Sequence, residues 1–222
     1  FQAEDGIRDM PTGLVGSEMC IRDSFTPKGD GPFPGIVLSH MGGADKRAWG
    51  EIPERLQSAG YAVLSFDFRG HGNSEGHLDP PNAAADLDAA LAFLRAQPQV
   101  DADQIALVGA SMGGSASVIV GADDPVVQAV VAISTSPDSA GQYPGDVIGQ
   151  LSPRPFLAVG CDEDPLTKAE RVRELYEGAR SPKRLVILSC AAHANDVLET
   201  QAAAELRNRL LSWLGTHLPT PP

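Results

Sequence analysis

From Phe25 onward, short unbroken apolar runs alternate with stretches of helical periodicity, and no other feature of the chain restricts its fold so strongly. The runs cover 35–39, 61–66, 105–108, 127–133, 156–159 and 184–188. Helical stretches at 48–59, 83–96, 112–120, 166–179 and 198–218 lie between or after them. In 83–96, Leu87, Leu91 and Leu94 fall at the spacing of a core-facing stripe. A strand with one wet face would alternate apolar and polar residues; these runs do not. They must be covered on both sides, which predicts a mostly parallel sheet with helices on both faces, an α/β fold.

Bulk properties narrow the setting. At 222 residues and 42% hydrophobic content, the chain can bury one sizeable core and reads as a single domain. Its net charge of -12 argues against nucleic acid as a partner. No apolar run approaches the ~20 residues of a membrane span, so no membrane partner is expected. Residues 1–24 show neither helical nor alternating periodicity and resemble the peptide obtained when sequencing-adapter DNA is translated at the end of a metagenomic gene fragment. They are read as a non-native, disordered leader, with 25–222 as the domain; a genuine disordered leader is the alternative. The natural N-terminus is then missing, with any signal peptide it carried, and location stays open with the cytoplasm favoured. The tail Pro219–Pro222 is expected to fray. Cys20 falls in the leader, and the two remaining cysteines, Cys161 and Cys190, form neither a disulfide framework nor a Cys-x-x-Cys metal motif.

The run Ile105-Ala106-Leu107-Val108 passes directly into Gly109-Ala110-Ser111-Met112-Gly113-Gly114 and a helix start of small residues. Strand, tight turn and helix in that order can hold a serine on a strained elbow with its hydroxyl above the sheet edge. The Gly-x-Ser-x-Gly pattern alone is weak, and the chain contains a second copy, Gly72-Asn73-Ser74-Glu75-Gly76. That copy runs into His77-Leu78-Asp79-Pro80-Pro81, where no helix can start. Ser74 is therefore read as a loop serine and Ser111 as the candidate nucleophile.

Ligands of open parallel sheets bind beyond the carboxyl ends of the strands. Each group with plausible chemistry follows an apolar run: His40-Met41-Gly42-Gly43, Ser111, the pair Asp162 and Asp164, and His193. Acyl transfer by serine needs a base, an anion to orient it and donors for the oxyanion, and these groups supply all three. Of the other histidines, His71 and His77 lie in a polar loop, His217 near the end of the last helix, and His40 is better suited to fixing backbone than to moving protons.

The order Ser111, Asp162/Asp164, His193 resembles that of the α/β-hydrolase superfamily. So do the loop His40-Met41-Gly42-Gly43, the loop Asp67-Phe68-Arg69-Gly70-His71-Gly72-Asn73-Ser74 and the elbow around Ser111. The likeness runs from about Phe25 to the end, and is to capless, esterase- or dienelactone-hydrolase-like members. It implies a cofactor-free serine hydrolase acting on a small-molecule ester, with Ser111 as nucleophile, His193 as base and Asp164, favoured over Asp162, as orienting acid. It implies oxyanion donors at the amides of Met112 and Gly42, with Met41 the neighbouring possibility. Thioesterase, prolyl-oligopeptidase-like peptidase and non-catalytic ligand-binding readings stay open. In that family the last two strands are neighbours, so Cys161 and Cys190 would lie close enough for a bridge to form. The interval 134–155 is too short for a helical lid, which implies an open site. The family's first hairpin would be lost, leaving the strand at 61–66 as an open edge and the protein poorly soluble.

Overall fold

The computed structural model describes residues 22–220; the adapter-like residues 1–21, Cys20 among them, and the last two prolines lie outside them. In chain order the elements are β1 (Arg22–Phe25), β2 (Phe33–Ser39), α1 (Ile52–Ser58), β3 (Ala62–Phe66), α2 (Ala83–Arg95), β4 (Val100–Ala110) and α3 (Met112–Asp123). There follow β5 (Val127–Ile133), the single turn α4 (Pro144–Val147), β6 (Phe156–Cys161), α5 (Ala169–Gly178), β7 (Lys183–Leu188) and α6 (Ala203–His217). The strands form one sheet in the order β1-β3-β2-β4-β5-β6-β7, parallel except for β1, which runs antiparallel to β3. The chain reverses direction across the sheet after β3, so β2 and β4 meet at its centre.

Burial explains why the strands lack alternation. Ile36, Leu38, Val108 and Val131 face one core, completed by Trp49, Ile52 and Leu56 before β3 and by Leu206, Leu210 and Leu214 of α6. Their neighbours Val37, Leu107 and Val130 face the other, built with Leu87 and Leu91 of α2, Val118 of α3 and Val172 and Leu175 of α5. Both faces are dry. At about 25 cal/mol per Å² of apolar surface, this two-sided burial is the main term holding the sheet flat between its helices.

Two expectations need correction. The strand at 61–66 is not an open edge: β1 pairs along it from Arg22↔Phe66 to Phe25↔Val63. Residues 22–24, which the sequence reading places in the leader, belong to β1. Among the described residues no strand lies beyond β1. The helix expected over 48–59 is split into a 3-10 turn (Lys46–Trp49) and α1, because Gly50 takes φ 53 and Pro53 can enter only a first turn. The interval 134–155 holds α4 and a 3-10 turn (Ile148–Leu151). Ile148 and Leu151 are buried against α3 and α5, so it buttresses the sheet rather than covering the site. No described helix is long and apolar enough to cross a membrane.

Candidate active site

Ser111 sits where β4 passes into α3 with a single residue between them. Its backbone is at φ 51, ψ -112, a left-handed conformation that costs a residue with a side chain about 1–3 kcal/mol. The surroundings leave no other path. The Ser111 N–H donates to the Ile133 carbonyl at 2.8 Å, and its own carbonyl accepts from the Ser115 N–H at 2.9 Å. A Cβ at Gly109 would collide with the Gly113 carbonyl, and one at Gly113 with the Ser39 carbonyl. The elbow is glycine-bound because backbone packs on backbone there.

Behind Ser111, the Met112 amide opens α3, one of the unpaired donors every helix start carries. Gly42 lies against the Met112 side chain: a Cβ there would stand 3.8 Å from Met112 Sδ. Neither amide has an acceptor among the described residues. The amides flanking Gly42 are taken. Met41 N–H donates to Asn195 Oδ1 at 3.0 Å and Gly43 N–H to His71 Nε2 at 3.2 Å.

The loop carrying Gly42 is held by imidazoles. His40 is fully buried; its Nε2 accepts from Phe68 N–H at 3.2 Å, so Nδ1 carries the proton and donates to the Met41 carbonyl at 2.7 Å. Burial pushes its pKa down to about 4, which keeps the ring neutral. His71 is placed the same way, between Gly43 N–H and the Arg69 carbonyl. The rings of His40, Phe68 and His71 pack edge to face, with His40 5.0 Å from Phe68 and 5.1 Å from His71. Asp67 ties the next loop down, accepting from Lys46 and Asn73 amides. Ser74, the serine of the second Gly-x-Ser-x-Gly, donates to the Asp67 carbonyl at 2.8 Å, as expected of a loop serine. His77 is exposed, and His217 stacks on Trp213 at the end of α6 with ring centroids 4.1 Å apart.

On the other side, β6 and β7 deliver an acid and an imidazole. His193 Nδ1 lies 3.0 Å from each oxygen of Asp164, and both side chains are buried. Asp164 also accepts from the amides of Leu166 and Thr167, at 2.9 and 2.8 Å. Burial pushes the Asp164 carboxyl up, but the His193 ring and these donors outweigh it and hold the group below the usual carboxylate range. Asp162 is elsewhere, accepting from the Cys190 amide at 2.9 Å. Cys161 and Cys190 form a disulfide, with Cα atoms 5.2 Å apart. Each cysteine stands three residues ahead of a member of the pair, Cys161 before Asp164 and Cys190 before His193.

The structure thus joins Asp164 to His193 and sets Met112 against Gly42. No hydrogen bond joins the Ser111 hydroxyl to His193 among the described residues. The two are tethered to successive residues at the end of β5: Ser111 through Ile133, and Ala194, next to His193, through Ser134 Oγ at 3.0 Å. Catalytic hydrogen bonds in unliganded sites are often long and tighten only with substrate. Ser134 and Asn195 were not singled out in the sequence. Ser134 was detectable, since it follows its strand just as Ser111 follows β4; Asn195 carries no signal until the loops are placed. Among the described residues no three His, Cys, Asp or Glu side chains gather as a metal site requires.

Comparison with known proteins agrees with this architecture. Protein YfhR of Escherichia coli K12 is 25% identical over 215 residues, covering 87% of this chain and 72% of its own. Thiohydrolase aneE of Aspergillus aculeatus is 33% identical over 112 residues, covering 47% of this chain and 35% of its own. The dienelactone hydrolase of Anabaena variabilis superposes with a TM-score of 0.76 at 24% identity, over 94% of this chain and 95% of that one. The family model described as alpha/beta hydrolase family matches residues 36–220, from the middle of β2 to the last described residue. With the sheet order, the elbow and the loops at the strand ends in place, the chain belongs to the alpha/beta hydrolase family.

Proposed function

We propose that this protein is a serine hydrolase that cleaves carboxylic esters through an acyl-enzyme. One observation carries the reading: a buried imidazole whose Nδ1 is fully engaged by a buried carboxylate, leaving Nε2 as its free edge, at the strand ends where Ser111 stands on a strained elbow. With Nδ1–H committed to Asp164, Nε2 is the basic nitrogen. It takes the Ser111 proton as Oγ attacks the ester carbonyl carbon, and the imidazolium formed is stabilised by Asp164. The carbonyl oxygen becomes an oxyanion and accepts from the Met112 and Gly42 amides, each worth about 3 kcal/mol to the transition state. Collapse expels the alcohol, which leaves with the proton from Nε2, and an acyl group remains on Ser111 Oγ. Water then repeats the sequence and releases the acid.

The rim suits an apolar small-molecule substrate. The large apolar residues most exposed among those described are Leu78, Tyr143 and Leu166, at 58%, 60% and 75% exposure. They stand on the loops after β3, β5 and β6, along the edge that carries Ser111, and the interval 134–155 supplies no helical cover. A thioester substrate is the second reading, favoured by the likeness to the thiohydrolase.

Short-chain p-nitrophenyl esters and a fluorophosphonate probe test the proposal. Turnover with an acyl-enzyme burst and labelling at Ser111 is expected, with Ser111→Ala losing at least about a thousandfold in kcat. Matched ester, thioester and peptide panels then separate the substrate classes. Tight binding of ester analogues without turnover or labelling would instead mark a ligand-binding protein and overturn the enzyme reading.

A further inference from the structure

Four described residues other than glycine have a left-handed backbone, and three of them, Ser111, Ser134 and Ala194, border the site. Ser111 has its reason in the elbow. Ser134 has φ 48, is 1% exposed and follows β5 with no helix behind it. Glycine would hold this bend without steric cost, so serine there calls for a use of its side chain. Its N–H donates to the Val159 carbonyl at 2.7 Å, which pins the bend against β6, the strand that ends three residues before Asp164. Its Oγ accepts the Ala194 N–H at 3.0 Å, one residue past His193. Ser134 is also among the groups that hold the Asp164 carboxyl below the usual carboxylate range. Ala194 is itself left-handed, at φ 52, so its amide is turned toward Ser134 at a cost of its own.

We infer that Ser134 is a positioning residue for the Asp164–His193 pair, its backbone N–H holding β6 just ahead of the acid loop and its hydroxyl holding the histidine loop. Two loops from different strands are set against one residue at the end of a third. The disulfide joins the same loops three residues upstream, so it constrains their roots. The hydroxyl constrains the reacting end. Its effect on turnover rests on the esterase reading; its effect on the acid–imidazole geometry does not.

Ser134→Gly and Ser134→Ala test the inference together. Both remove the hydroxyl, while glycine also relieves the backbone, so a loss of function in Ser134→Gly cannot be assigned to misfolding. Three quantities are measured: kcat and KM on a p-nitrophenyl ester, the melting midpoint, and the low-field proton resonance of His193 Nδ1–H. In both variants kcat is expected to fall about tenfold, the worth of one buried hydrogen bond, with KM within about twofold of the parent. The resonance should move upfield or broaden, and Ser134→Gly should melt no lower than Ser134→Ala. A Ser134→Gly protein with the parent's kcat and an unmoved resonance overturns the inference. An unmoved resonance with a lowered melting midpoint also overturns it, because that is the mark of a purely structural serine. If the parent hydrolyses no ester yet the resonance shifts in Ser134→Gly, the esterase reading fails and the positioning role stands.

Discussion

The two sides of Ser111 are built by different means. On the β2 and β3 side, the loop carrying Gly42 is held by neutral imidazoles and one carboxylate gripping backbone amides. On the β6 and β7 side, the acid and histidine loops are held by a disulfide, a strained serine and a carboxylate–imidazole pair. The first side presents backbone amides and needs only a fixed main chain. Under the proposed mechanism the second must keep two side chains in register while one of them gains and loses a proton. A covalent clamp tolerates that charge change; a net of neutral histidines works only while its rings stay neutral. Asn195 is the direct hydrogen-bonded bridge between the sides, from the histidine loop to Met41 N–H.

This contrast can be broken most forcefully at the disulfide. Closing a loop with a sequence separation of 29 should stabilise the fold by about 3–4 kcal/mol in the chain-entropy view. Cys161→Ser with Cys190→Ser, or reduction of the native protein, should therefore give a large drop in melting midpoint. An unchanged midpoint under reductant would remove the distinction between the sides. The histidine side should respond to acid instead. The His40 pKa falls from 6.5 unfolded to about 4 folded, so the unfolded chain binds the proton first as pH drops. The stability is complete above pH 6.5 and is lost as pH falls toward 4, by on the order of 3 kcal/mol. The Asp164 carboxyl, also held low, loses stability in the same direction as it is protonated. Urea unfolding across this window checks the slope, and His40→Gln, neutral throughout, should flatten it.

Smaller effects sharpen the comparison. Asn195→Ala leaves the Met41 amide without its acceptor and should cost about 1–2 kcal/mol in denaturant unfolding. If the bridge aligns the oxyanion donors with the imidazole, kcat should fall in the same variant. Glu205→Gln cuts the exposed pair with Arg209 on α6, away from both sides, and should change stability by less than about 0.5 kcal/mol. A larger change there would mean that α6 contributes more to the frame than its packing suggests.

Much of this was legible in the chain. Unbroken apolar runs located β2 to β7, though β4 starts five residues ahead of its run, because burial on both faces keeps most positions of a central strand apolar. The glycines around Ser111 marked the elbow, because close packing of backbone on backbone excludes any side chain. The family resemblance favoured Asp164 over Asp162, and Asp164 is the carboxylate that meets His193. The antiparallel strand Arg22–Phe25 gave no signal, since four half-buried residues with two charges have neither a period nor a run. The split of the expected helix at 48–59 turned on the backbone angle of Gly50, which composition does not encode.

The amino-acid order by itself determined the layered sheet, the strand-end addresses of Ser111, Asp164 and His193, and the glycines of the elbow. These follow from local rules of burial and backbone freedom that act within a few residues. Tertiary structure alone decided that Cys161 reaches Cys190, that Asn195 grips Met41 and that the Ser134 hydroxyl takes the Ala194 amide. Such contacts join loops from separate strands, and hydrogen-bond and disulfide geometry a few ångströms wide is set only when the sheet has placed those strand ends side by side.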